Sequence, residues 1–447
     1  MSPRYDPERY LLTHPNPEAA IQIRKQMDEL STIIEKMNAR QHSGNKVIVM
    51  AATMFLTSSL AYSLYQFNDV NTTLNACLPS IFQVLNYPAA RRILCGMARL
   101  DLLPVDYASE DPYLIRNVKF GSRHPKTRPM RVCVPIGLSS GIDVDCDGPA
   151  SFIKQGFGFV EIGPVSLDET PPQLESQIQV LPRGVVSSKD RSEGSIGLSS
   201  VSQRVCDYIE YSRPNDLLSR NSLTGVCIKI KSQSDIDTLF KNRNFSRLFS
   251  TIDYMSLDVQ EISDPALIAQ MVKSITNASS HHESLPPIFL KINLSQSFPP
   301  SQDVVDSLAE SPTLVGVSIV GSGVMGNDKA RFNMSDDLVV FGDLPREKAI
   351  EAVANWYTLL KPFGKQIMAS GGVVCGKDAL NLIEAGASMI NVYSGYVCNG
   401  PRIARDIKTQ LSVQFMNKGY YNLDEAIGGK FGSNKRRLEA MKRRKKF

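Results

Sequence analysis

Gly371-Gly372 and Tyr393-Ser394 are the residues of this 447-residue chain best suited to hold an anion. Each pair closes a short apolar run, Ile367-Met368-Ala369-Ser370 in one case and Met389-Ile390-Asn391-Val392 in the other. A glycine pair leaving a strand lets backbone N–H groups approach an anion closely. Lys291 is the second candidate. It stands alone in the apolar run Ile288-Phe289-Leu290-Lys291-Ile292 and needs some partner there, because burying an unpaired ammonium is costly. The five histidines show no metal-ligand spacing, and His281-His282 reads as a solvated loop. The eight cysteines are scattered without a CxxC pair, as expected of free thiols in a reducing compartment.

Between the two apolar runs, Ala379, Leu380, Leu382, Ile383 and Ala385 repeat with helical spacing. This strand–helix–strand unit is the last of a series. Eight strand-like runs, at 131–138, 157–163, 224–230, 252–259, 287–292, 314–320, 366–370 and 388–394, alternate with helical segments or long loops. Such alternation predicts parallel βα units, and eight is the barrel number. Val, Ile and Leu of these runs are expected to fill the barrel. Residues 166–223 and 321–345 read as insertions after the second and sixth strands, on the side where a barrel builds its site.

The flanks differ in character. Residues 17–41 carry Ile21, Met27, Leu30, Ile34 and Met37 among charges of both signs, which predicts an amphipathic or coiled-coil helix. Residues 47–67 hold no charge and are long enough to span a bilayer; the alternative is a buried core helix. Two short helices are predicted at 74–86 and 88–100, split at Tyr87-Pro88. The tail KRRLEAMKRRKKF (435–447) carries +7, which leaves about −2 of the formal +5 for the rest. That tail is either a contact for anionic lipid, RNA or an acidic partner, or a solvated end.

Together these features resemble the membrane-anchored, quinone-linked (class 2) dihydroorotate dehydrogenases, over roughly 75–428. The likeness lies in GLSSGID (137–143), QGFGFVEIGPV (155–165), FLKIN (289–293), ASGGVVCGKDALNLIEAGAS (369–388) and LDEAIG (423–428). The resemblance implies an α/β fold, a (β/α)8 TIM barrel at 105–430, with an amphipathic region at 1–46, a transmembrane helix at 47–67, a small helical cap at 68–104 and a basic tail at 431–447. It implies FMN as cofactor, dihydroorotate oxidised to orotate, ubiquinone as acceptor, and a single-pass location in the mitochondrial inner membrane. A protein partner through the N-terminal helix or the tail is a further expectation.

Carried over residue by residue, the resemblance assigns the FMN phosphate to Gly371, Gly372, Tyr393 and Ser394, and the ring to Gly141 and Lys291, with an internal salt bridge as the alternative for Lys291. Other positions depart from the family. The family's Gly-Phe-Asp-Lys reads Gly141-Ile142-Asp143-Val144, and Pro164 replaces a Ser or Thr. Substrate asparagines are replaced, with Cys227 and Asp258 among the substitutes. The catalytic serine maps to Glu261, and the arginine before Leu-Pro to Val180. The expectation is a family member that has lost catalysis and serves as a structural or interaction subunit. Two alternatives stand beside it: an active flavin oxidoreductase with a rebuilt pocket using Glu261 as base, and a cofactor-binding module without turnover.

Overall fold

The computed structural model describes residues 80–108, 111–118, 130–171, 178–181, 184–188, 194–280, 282, 284–297, 299–324, 338–343 and 345–431, with scattered positions before residue 80. Eight parallel strands close into a barrel: β1 Ile136–Leu138, β2 Phe159–Val165, β3 Leu223–Lys229, β4 Tyr254–Asp258, β5 Ile288–Asn293, β6 Leu314–Val320, β7 Gln366–Ser370 and β8 Met389–Val392. Each strand pairs with its neighbour in sequence. The ring closes where Ile390, Asn391 and Val392 of β8 meet Ile136, Gly137 and Leu138 of β1.

The expected filling of the barrel is corrected. Successive strand residues face opposite sides, and most of the β-branched and leucine positions take the outer side. Val160, Ile162, Val226, Ile228, Leu290 and Ile319 lie in one buried cluster with helix residues such as Leu239, Val272 and Leu308. A separate buried cluster holds Phe159, Leu223, Tyr254, Phe289, Val315, Met368 and Met389. Phe159 and Tyr254 meet edge-on at 6.1 Å, as do Tyr254 and Phe289. Two glycines make the room: a Cβ at Gly137 would lie 2.2 Å from the Phe159 ring, and one at Gly225 would lie 2.1 Å from Tyr254.

Two further boundaries move. The run 131–138 is two elements. Met130–Val132 pairs antiparallel with Arg116–Val118, and β1 begins only after Pro135, whose ring nitrogen has no hydrogen to give a ladder. The two insertions are one structure: Ser322–Val324, Leu338–Gly342, Gly184–Ser188 and Ile178–Leu181 pair in that order as a four-stranded antiparallel sheet.

The helix pair forms as Ile81–Val84 and Tyr87–Arg99. Tyr87-Pro88 starts the second helix rather than breaking one. Asn86 caps it, accepting from the Ala89 N–H at 3.0 Å, and Pro88 sits in the first turn where no N–H is needed. Both helices share a compact unit with the barrel (Pro79–Leu103 and Ser109–Phe447). The other unit, Met1–Leu78 with Pro104–Ala108, is tied within itself by Val70 N–H to Val105 O (3.1 Å) and Asn68 Nδ2 to Tyr107 Oη (2.8 Å). The single tryptophan, Trp356, is fully buried on helix Arg346–Leu360 and donates its indole N–H to Ser297 O at 3.0 Å.

The amphipathic run 17–41, the uncharged run 47–67 and the tail 432–447 lie, but for scattered positions, outside the described residues. Among the described residues no helix is long and apolar enough to cross a membrane.

Candidate functional site

The tips of β7 and β8 bring the two sequence-singled pairs together. Gly371 has φ +147° and Gly372 φ +62°, conformations that favour glycine. The glycines also serve packing: a Cβ at Gly372 would lie 2.4 Å from Gly342 O, and one at Gly371 would lie 2.7 Å from Ala349 Cβ. Ser394 opens the short helix Ser394–Asn399 and is buried. Among the described residues, the amide N–H groups of Gly372, Ser394 and Gly395 have no acceptor. Arg346 donates to Gly372 O at 2.9 Å, pairs with Asp343 and lies 3.3 Å from Asp378.

The loop after β1 is docked from outside. Tyr393 Oη donates to Tyr87 Oη (2.9 Å), which donates to Gly141 O (3.0 Å). Arg91 and Cys95, one and two turns further along the same helix, reach Ile142 O. Asp143 is buried and accepts from the Asp147 and Gly148 N–H groups at 2.7 and 3.2 Å. Burial pushes its carboxyl up to about 6, against the pull of those hydrogen bonds and of Arg91. Val144 is fully buried.

Mid-strand residues of β2 to β5 form a buried polar layer above the aromatic floor. Lys291 forms an ion pair with Glu161 inside the barrel, where Glu161 is fully buried. The same ammonium donates to Ser140 Oγ at 2.5 Å and to Cys227 Sγ at 3.5 Å. Ser256 Oγ donates to the other Glu161 oxygen at 2.9 Å. Burial works against the lysine's charge, but Cys227, Glu161 and Asp258 around it outweigh burial and hold the ammonium above its ordinary range. Burial pushes the Cys227 thiol up, and pushes Asp258 up against the pull of Lys291. The fold thus contains a salt bridge at Lys291.

Glu261 lies apart from this layer. Its carboxylate is half exposed, 3.1 Å from Lys229 Nζ and 3.6 Å from Lys231 Nζ. Burial raises its pKa, and the two lysines more than offset that and hold it below the ordinary carboxylate range. Its neighbours in the loop bond to one another. Gln260 holds Asp258, Asn293 Nδ2 donates to Gln260 O (3.0 Å), and Gln296 donates to Val259 O (2.7 Å).

The residue missed from sequence is Glu161. Its signal was present: two ionisable residues, Glu161 and Lys291, each in a strand of otherwise apolar character, need each other. His282 is also corrected. It packs edge-on against Phe240 and Phe249 and hydrogen-bonds Phe240 O at 2.7 Å, so it belongs to a helix–loop contact rather than to a solvated loop. The described cysteines are all free thiols.

The closed parallel (β/α)8 barrel defines the class of the protein as an α/β barrel. The family model for dihydroorotate dehydrogenase matches residues 126–415, and the chain belongs to that family. Within it the chain stands with the quinone-linked members. It is 23% identical over 334 residues to the dihydroorotate dehydrogenase (quinone) of Roseiflexus sp. RS-1, covering 72% of this chain and 86% of that one. It is 25% identical over 400 residues to the mitochondrial enzyme of Schizosaccharomyces pombe, covering 81% and 87%. The same fold occurs in DHODH of Eimeria tenella in its ferulenol complex (TM-score 0.65, 21% identity, 79% of this chain and 99% of that one). Its ligand-free form is equally alike (TM-score 0.66, 24% identity, 76% and 98%).

Proposed function

We propose that this protein keeps the cofactor cradle of the quinone-linked dihydroorotate dehydrogenases at its phosphate end and has lost dihydroorotate oxidation, serving as a structural or interaction subunit. The observation that carries this reading is the state of the base position. Glu261 is engaged by two lysines, which stabilise the carboxylate and make it a poor proton acceptor. A further carboxylate beside an anionic substrate is unfavourable in any case.

FMN fits this chain at one end only. Gly372, Ser394 and Gly395 offer N–H groups without acceptors among the described residues, which suit a phosphate. At the other end Lys291 is already matched by Glu161. When bound, FMN supplies a two-electron redox centre; Gly371, Gly372, Tyr393 and Ser394 are the residues to hold its phosphate, and Gly141 lies on the ring side. The uncharged run 47–67 supports a single-pass anchor, and the family supports the mitochondrial inner membrane and ubiquinone as its setting. Resistance of the full-length protein to carbonate extraction tests the anchor; release by carbonate removes it.

The test of function is complementation of a pyrimidine auxotroph, with flavin analysis and a dihydroorotate–quinone assay on protein purified without oxygen. The expected result is no growth and no turnover. Robust growth that disappears in Glu261→Gln overturns the proposal and makes Glu261 the base. Flavin absorbance that falls in Ser394→Asp, which sets a carboxylate beside the three N–H groups, supports the phosphate assignment; flavin content unchanged by that substitution contradicts it.

A further inference from the structure

The turn at Gly371-Gly372 is held by a side chain from another part of the chain. Arg346 opens helix Arg346–Leu360, shortly after the strand Leu338–Gly342 of the four-stranded sheet. Three nitrogens of its guanidinium reach three separate acceptors. Nε donates to Gly372 O at 2.9 Å, Nη2 pairs with Asp343, and Nη1 lies 3.3 Å from Asp378 Oδ1. Asp378 is buried in the first turn of helix Gly376–Ala385, and its other oxygen accepts the Val374 N–H at 3.1 Å. The carbonyl of Gly372 and the N–H of Val374 are thus both fixed, one by Arg346 and the other by a carboxylate that Arg346 meets. Gly342 O closes the space beside them, 2.4 Å from where a Gly372 Cβ would stand.

Gly372 stands at φ +62°, and its own N–H has no acceptor among the described residues. Glycine reaches several backbone conformations at similar cost, so residue type alone does not select this one. A planar fork with donors at fixed angles can select it. Charge is not what the fork contributes. One guanidinium and two carboxylates sum to +1 − 2 = −1, so the trio has no positive charge with which to draw an anion. We propose that Arg346 is a positioning residue for the phosphate end. It holds the Gly372 turn in the conformer whose N–H is open to a phosphate ester, and it acts through the backbone rather than through its charge. This role rests on the phosphate reading of these strand tips.

The experiment compares FMN with riboflavin, which lacks the phosphate. Full-length protein in detergent, freed of flavin, is titrated with each, and quenching of flavin fluorescence gives both dissociation constants. The wild type, Arg346→Lys and Asp343→Ala are measured side by side. Both side chains are partly exposed, so folding is retained, and circular dichroism verifies it. The expected result is a wild-type preference for FMN that falls about ten-fold in Arg346→Lys, because one ammonium cannot serve three acceptors. The preference falls in Asp343→Ala as well, although that variant removes a negative charge. A role through charge demands the opposite: a preference unchanged in Arg346→Lys, or raised in Asp343→Ala, overturns the proposal. A loss shared equally by FMN and riboflavin also overturns it, since the residue is then merely structural. A wild type that binds FMN no more tightly than riboflavin overturns the phosphate reading and this role with it. A wild-type preference that persists in both variants overturns the role alone, so the two failures are distinct.

Discussion

The two halves of the barrel mouth treat their polar groups in opposite ways. At the tips of β7 and β8, the N–H groups of Gly372, Ser394 and Gly395 lack acceptors among the described residues, and a bound anion would complete them. Inside the barrel, Glu161, Cys227, Ser256 and Lys291 of β2 to β5 and Ser140 of the loop after β1 satisfy one another. The loop that follows β4 does the same through Gln260, Asn293 and Gln296. On the proposed reading, a binding site falls silent here without becoming apolar. It is enough that the remaining polar side chains find partners inside the chain, because a ligand must then compete with bonds already made.

The hardest blow to this contrast falls on the buried ion pair. Lys291→Met leaves the fully buried Glu161 without its counter-charge, and denaturant unfolding should show a loss of about 3–5 kcal/mol. Adding Glu161→Leu should recover most of that loss, because a matched apolar pair avoids desolvating two charges. If Lys291→Met is as stable as wild type, the layer is not closed as described.

The phosphate end responds through its backbone. Gly372→Ala puts a Cβ at φ +62° and 2.4 Å from Gly342 O, and should cost about 2 kcal/mol with or without flavin. Gly372→Asp therefore mixes packing with charge, and Ser394→Asp is the cleaner probe of the proposed anion site. A Gly372→Ala protein with wild-type unfolding midpoint would show that the turn relaxes freely.

Between the two halves lies Asp143, with a folded pKa of about 6 against an ordinary 3.8. The folded state holds this proton more tightly than the unfolded one. Its contribution therefore favours folding fully below pH 4 and is lost as pH rises through 6, by up to about 3 kcal/mol. Asp143→Asn should flatten the stability profile across that window. An unchanged slope between wild type and variant would contradict the assignment.

The smallest effect is expected at Glu261. Its lysine pairs are half exposed, so Glu261→Gln should change stability by less than about 1 kcal/mol in thermal melts. A larger loss would bring Glu261 into the closed layer and erase its separation from Lys291.

The barrel was legible because its signal is local. Eight apolar runs separated by helical periodicity survive any detail of pairing. What was not legible depends on contacts between distant segments. The strand Gly184–Ser188 pairs with Leu338–Gly342 about 150 residues away, and neither polar insertion carries enough alternation to announce it. The inward side of the barrel was misread because composition counts residues without saying which way they face. Gly137 and Gly225 are the clue, since small residues on one strand imply large ones opposite. At the site, the glycine pairs were found because their backbone role follows from residue type. The fate of Lys291 was left open because its partner sits 130 positions earlier, on a strand read only for its apolar residues.

Trp356 gives the molecule a built-in beacon. As the single indole in the chain, shielded from water and anchored to Ser297 O, it makes all intrinsic tryptophan emission come from one address. That address is the turn leaving β5, six residues after Lys291. A red shift on titration with denaturant will date the opening of the strand that carries the buried lysine, and an emission that stays blue while circular dichroism changes will locate the loss of structure somewhere else.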